Sequence, residues 1–103
     1  MLSRTADYLF WMARYMERAE NTARMLGVSY EMSLLPQSQD AAEQGWRGLL
    51  SISELTSSFA QRYAAVSARN VMDFMIRDES NPSSILSCVR AARENARAVR
   101  GAL

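Results

Sequence analysis

The sequence has 103 residues, 49% hydrophobic and 22% charged, a balance that fits one globular domain with its own core. A formal charge of +1 gives no global pull toward nucleic acid or an acidic membrane. The absence of histidine removes His-based triads and imidazole zinc sites, and the lone Cys88 permits neither an intrachain disulfide nor a zinc site. A chain of this kind points to a reducing compartment, the cytoplasm, with no cofactor implied.

Gly and Pro are scarce, and Ala, Leu, Met, Glu, Gln and Arg dominate, all good helix formers. The fold class is therefore all-α. All twelve basic residues are Arg, which reflects either GC-rich codons or guanidinium forks aimed at carboxylate or phosphate. Met1 to Asp7 lacks the apolar stretch of a signal peptide, and no apolar run approaches the ~18–20 residues of a membrane span.

Ser3 is placed to cap a helix running from about Arg4 to near Leu34, where Leu35-Pro36-Gln37-Ser38 stops it. A helix this long implies a bundle, since propensity alone would not hold it. Gly27 costs about 1 kcal/mol relative to Ala inside it, so a bend or a closely crossing backbone is expected there. Leu9, Met12, Met16, Ala19, Ala23 and Leu26 form the expected core stripe. Phe10 and Trp11 point elsewhere, which implies burial on several sides or an interface.

Asp40, with Glu43 three residues on, reads as the start of a second helix bearing Trp46, Leu49, Leu50 and Ile52 and fading near Leu55. Thr56-Ser57-Ser58 breaks or recaps the chain before a short helical piece with Phe59, Tyr63 and Ala64. Ser67 caps another with Val71, Met72, Met75 and Ile76, and Arg77-Asp78-Glu79-Ser80 reads as a polar loop. Asn81-Pro82 has the form of an N-cap followed by proline at the first helical position, so the last helix is expected from Pro82 onward. Ile85, Cys88, Val89, Ala92, Ala96, Val99 and Leu103 share its apolar face, opposite Arg90, Arg93, Glu94, Arg97 and Arg100. Leu103 is still in phase and no C-terminal cap follows, which suggests a chain cut from a longer one.

Arg14, Glu17, Asn21 and Arg24 recur at three- and four-residue steps on the first helix. They read either as a solvated face with weak Glu–Arg pairs or as a polar seam between helices, and the adjacent aromatics favour a semi-buried network. Glu17 and Glu20 could hold magnesium, although the Glu-x-x-His pairing of di-iron bundles is missing. The Arg face of the last helix could meet phosphate but is more often solvent-exposed. Cys88, on an apolar face with no base beside it, reads as a buried structural thiol, and the seven Met as adaptable core filler.

The opening Met1-Leu2-Ser3-Arg4-Thr5-Ala6, then Trp11, Arg14-Tyr15 and Glu17-Arg18-Ala19-Glu20-Asn21-Thr22-Ala23-Arg24, resembles the bacterial alpha-E family, helical proteins named for a Glu-Arg motif. Asn81-Pro82-Ser83-Ser84-Ile85 and Ala92-Arg93-Glu94-Asn95-Ala96-Arg97 continue the resemblance over nearly the whole chain. Family members are longer, so it implies the N-terminal third of such a protein, here a single domain. The genetic setting of the family, beside an ATP-grasp-type ligase and a transglutaminase-like protease, implies a part in peptide or amide-bond synthesis or modification.

The residues carried over by motif are Arg14, Glu17, Arg18, Glu20, Asn21 and Arg24, with Asn81, Arg93, Glu94, Asn95 and Arg97. They predict that the first and last helices pack side by side, with Glu17 or Glu20 facing Arg93 or Arg97. The leading expectation is an accessory or binding module for the ATP-grasp-type partner, presenting or recognising a peptide. The rivals are an enzyme whose Glu/Arg site is completed by a missing C-terminal region, and a purely structural bundle. No nucleic-acid or membrane partner is expected, and exposed apolar surface predicts a homo-oligomer.

Overall fold

The computed structural model describes residues 2–102. They form α1 (Leu2–Ser33), α2 (Gln39–Ile52), α3 (Thr56–Arg62), α4 (Ala68–Arg77) and α5 (Ile85–Ala102), with no strand among the described residues. The architecture is the expected all-α one, long first and last helices with shorter ones between.

Several helix ends differ from the sequence reading, each for a local reason. Ser3 lies inside α1, whose described part begins at Leu2. The cap of α2 is Ser38, whose hydroxyl accepts from the Ala41 amide at 3.1 Å. Asp40 is left in the first turn, where a carboxylate suits the helix dipole, and Glu43 pairs with Arg47 instead of completing a capping box.

At the other end of α2 the Leu55 amide bonds back to the Leu50 carbonyl and the Glu54 amide to the Ser51 carbonyl. This is a Schellman closure, with Glu54 in the left-handed conformation (φ 59) that usually falls to glycine. Ser67 caps α4 as expected, accepting from the Asn70 amide at 3.1 Å.

Asn81-Pro82 does not open the last helix. Ser84 does, accepting the Ser87 amide on its hydroxyl and the Cys88 amide on its carbonyl. Asn81 is buried and turns inward: its amide donates to the Phe74 carbonyl at 3.1 Å, while its oxygen accepts from the Ser83 amide at 3.0 Å. Holding the end of α4 satisfies more buried polar groups than a helix cap at that position would.

The core gathers Leu26 of α1, Trp46, Leu49 and Leu50 of α2, Phe59 of α3, and Val71, Phe74 and Met75 of α4. Each fully buried side chain of this size contributes roughly 1.5–3 kcal/mol. Phe59 stacks on Tyr63 at 4.9 Å and meets Phe74 edge-on at 5.4 Å, so α3 and α4 are joined by a packed aromatic trio.

Beyond this core the chain extends as a two-helix arm, and the molecule measures 56 × 26 × 17 Å. The most extensive helix pairing is α1 with α5. Ile85 packs on the core with Met25 and Leu26, and Arg18 lies near Cys88, so the two helices run antiparallel. Their buried positions are small: Ala19 and Thr22 on α1, Cys88 and Ala92 on α5.

The inward face of α1 is therefore rotated from the expected stripe. Ala19 and Leu26 are buried and Met12 is half-buried, but Leu9, Met16 and Ala23 face solvent while Thr22 is buried. Along the arm α1 has one main neighbour, and one neighbour covers only part of a helix. Gly27 neither breaks α1 nor meets a crossing backbone; nothing lies within 4 Å of where its Cβ would be. On α5, Val89 is exposed, and Leu103 lies outside the described residues.

Candidate functional site

The α1 residues singled out by the sequence, Arg14, Glu17, Arg18, Glu20, Asn21 and Arg24, are all exposed. Arg14 approaches Glu17 at 3.7 Å, Arg24 donates to the Asn21 side-chain oxygen at 3.1 Å, and the Arg18 guanidinium sits 5.7 Å from the centre of the Tyr15 ring. Trp11 extends this row, 6.1 Å from Tyr15 and edge-on to Phe10 at 5.3 Å. Phe10 is 56% exposed and Trp11 46%.

On α5, Arg93, Glu94 and Arg97 are exposed, and Arg97 pairs with Glu94 at 3.5 Å. Asn95 is half-buried and donates to the Ala91 carbonyl one turn back. The helices thus lie side by side as expected, yet no ion pair or side-chain hydrogen bond joins α1 to α5 among the described residues. Glu17 and Glu20 are not ion-paired with Arg93 or Arg97. The semi-buried network is replaced by two solvated rows, each paired one turn along its own helix. A seam of small side chains brings the backbones together and leaves the long charged ones outside it.

A second polar cluster, which the sequence did not announce, ties the ends of α3 and α4 together. The Tyr63 hydroxyl lies 2.8 Å from Asp73 and 3.3 Å from Asp78, Arg62 approaches Asp78 at 3.6 Å, and Arg77 pairs with Asp73. Asp78, its side chain only 3% exposed, also accepts from the amide and hydroxyl of Ser80 at 2.9 and 2.6 Å. These residues, with Glu79, line an open polar cleft of about 560 Å³.

Burial and the two carboxylates together push the Tyr63 phenol up to about 12. The hydroxyl of Tyr63 and then the Arg77 guanidinium hold Asp73 below the usual carboxylate range. Burial pulls Asp78 upward, but Ser80, Arg62 and Tyr63 outweigh it and the net shift is down. The cluster is internally satisfied, in keeping with the whole: no buried side-chain nitrogen or oxygen lacks a partner among the described residues. Its members come from three segments spaced ten and five residues apart, a spacing without a motif.

Cys88 is fully buried; burial pushes its thiol up, against the opposing pull of Arg18. No described helix is long and apolar enough to cross a membrane.

A family model described as a predicted alpha-helical domain with a conserved ER motif matches residues 1–103. The chain belongs to the Alpha-E family. Glu17-Arg18 is its only Glu-Arg dipeptide, and it lies on the exposed arm rather than in the core. Consecutive helical residues point about 100° apart. Glu17 and Arg18 therefore face different directions, Arg18 toward Tyr15 and Trp11, Glu17 toward the outer side of α1. No curated protein and no solved structure matches this Alpha-E chain.

Proposed function

We propose that this Alpha-E chain is a helical binding module, an accessory to an ATP-grasp-type ligase in a peptide- or amide-bond-forming or modifying system that includes a transglutaminase-like protein. The observation that carries this reading is the exposure of Glu17-Arg18 on a projecting arm, beside an aromatic row, rather than in an enclosed cavity. Exposed Trp11 and Arg18, on either side of the half-buried Tyr15, have the composition of interface hot spots. The polar cluster at Tyr63 has its donors and acceptors already matched, as a structural brace does.

In this reading Trp11, Tyr15 and Arg18 touch the ligase or its peptide, and the chemistry belongs to the partner. Co-purification of the intact protein with the ligase, followed by an ATP-dependent ligation assay of the recovered pair, tests it. The expected result is association that Arg18→Ala and Trp11→Ala each weaken at least tenfold, with no ligation by the Alpha-E chain alone. Turnover by the isolated chain would overturn the reading, as would retention of the ligase by both variants.

A further inference from the structure

Two apolar rows repeat every seven residues along α1. Met12, Ala19 and Leu26 form the first, which is buried or half-buried within the fold. Leu9, Met16 and Ala23 form the second, which faces solvent, with Leu9 45% and Met16 41% exposed. On α5, Val89 and Ala96 stand seven residues apart in the same way, and Val89 is 41% exposed. At 100° per residue, Met16 lies about 60° round α1 from the buried Ala19. Val89 lies about 60° round α5 from the buried Ala92, in the same rotational sense. In an antiparallel pair, equal rotations of one sense reach the same side, so both exposed rows border one groove. Trp11 and Arg18 lie about 80–100° the other way from Ala19, on the opposite side of the arm.

The two edges of this groove differ in charge. α5 exposes Arg90, Arg93, Arg97 and Arg100 against Glu94 alone, whereas the α1 edge carries Glu20 beside Met16. Arg90 pairs with Glu79 and Arg97 with Glu94. Among the described residues neither Arg93 nor Arg100 joins an ion pair or a side-chain hydrogen bond. These two are the arginines nearest the groove, within about 40° of Val89 round α5.

We infer that the groove receives an amphipathic helix of a partner protein, with apolar residues at heptad spacing and Asp or Glu along the flank that meets α5. The inference goes beyond the ligase reading and does not rest on it, since it uses none of Trp11, Tyr15 and Arg18. A row repeating every seven residues stays in line with a neighbour that is itself a helix wound alongside. The exposed row of α1 therefore fits a third helix seated between α1 and α5. Charge decides which helix: an acidic flank meets guanidinium forks at Arg93 and Arg100, and a basic flank is repelled there. Leu9 to Ala23 spans about 21 Å at 1.5 Å per residue, some four turns of the incoming helix.

Fluorescence anisotropy of labelled synthetic peptides of about three heptads, titrated with the 103-residue chain, tests the inference. One peptide carries Leu at the a and d positions and Glu on one flank. A second replaces those Glu by Lys, and a third keeps the Glu but replaces every Leu by Ser. The expected result is that the first binds at least tenfold tighter than either of the others. Arg93→Glu and Arg100→Glu should each weaken it severalfold, and the double variant should prefer the Lys peptide. Met16→Ser, which leaves every charge in place, should also weaken it. Arg69→Glu on α4, the same change of charge elsewhere, should not, with circular dichroism confirming that each variant is folded. Equal affinity for the Glu and Lys peptides overturns the inference, as does failure of all three to bind. So does a Ser peptide that binds as well as the first, a preference unmoved in the double variant, or self-association of the chain that Met16→Ser abolishes. The ligase co-purification is read on different residues, so either result can fail alone.

Discussion

Tyr63 and Asp78 close two different helices, α3 and α4, and the hydroxyl of the first lies 3.3 Å from the carboxylate of the second. A carboxylate at a helix C-terminus opposes the dipole. Here Arg62, Ser80 and the phenol offset that cost, and the turn into α5 is anchored as a result.

Tyr63→Phe keeps the ring in the aromatic trio but leaves Asp73 and Asp78 close together without their shared hydroxyl. It should destabilise by about 2 kcal/mol, the range for hydrogen bonds to charged groups, read as a lower urea midpoint at unchanged slope.

The pH dependence has a direction at each extreme. Asp73 and Asp78 are more acidic in the fold than their reference of 3.8, so their contribution is complete above that value and disappears as pH falls through the folded values. The Tyr63 phenol rises from 10.0 to about 12, so between those values the unfolded chain loses a proton the fold retains, and stability falls. Urea titrations across both ranges should show two losses, and Tyr63→Phe should remove the Tyr63 part of the alkaline one.

Asn81→Ala removes a buried amide that serves the Phe74 carbonyl and the Ser83 amide. Leaving both backbone groups unmatched should cost about 2–3 kcal/mol. Amide hydrogen exchange should locate the loosening at the α4–α5 turn, with the outer part of the arm unchanged.

Glu54→Gly should stabilise by about 1 kcal/mol, because glycine takes the left-handed conformation at φ 59 without the clash that Glu bears. A higher melting temperature with unchanged circular dichroism is the expected result.

Ala19→Leu forces three additional carbon atoms into the small-residue seam of α1 and α5. Overpacking there should cost about 1–3 kcal/mol, whereas the same change at exposed Ala13 should cost little. Paired thermal melts of the two variants check the contrast.

Helix class, the long first and last helices and the Ser67 cap were legible because they rest on local propensity and on side chains that reach their own backbone. The motif resemblance was legible for a related reason, being a linear pattern. Asn81-Pro82 misled because the same two residues suit a helix start and a turn, and only the nearby Phe74 carbonyl decides between them. The face of α1 misled because counting apolar residues cannot tell how many neighbours a helix has.

What the chain determined by itself was therefore whatever acts within a few residues: helices, most of their ends, and a Glu-Arg pair on the first of them. Tertiary structure alone decided that α5 covers a single side of α1, that Glu17-Arg18 stands in solvent, and that Tyr63, Asp73 and Asp78 meet. Each of these depends on contacts between distant segments, whose energies arise from shape and burial after the chain has closed on itself.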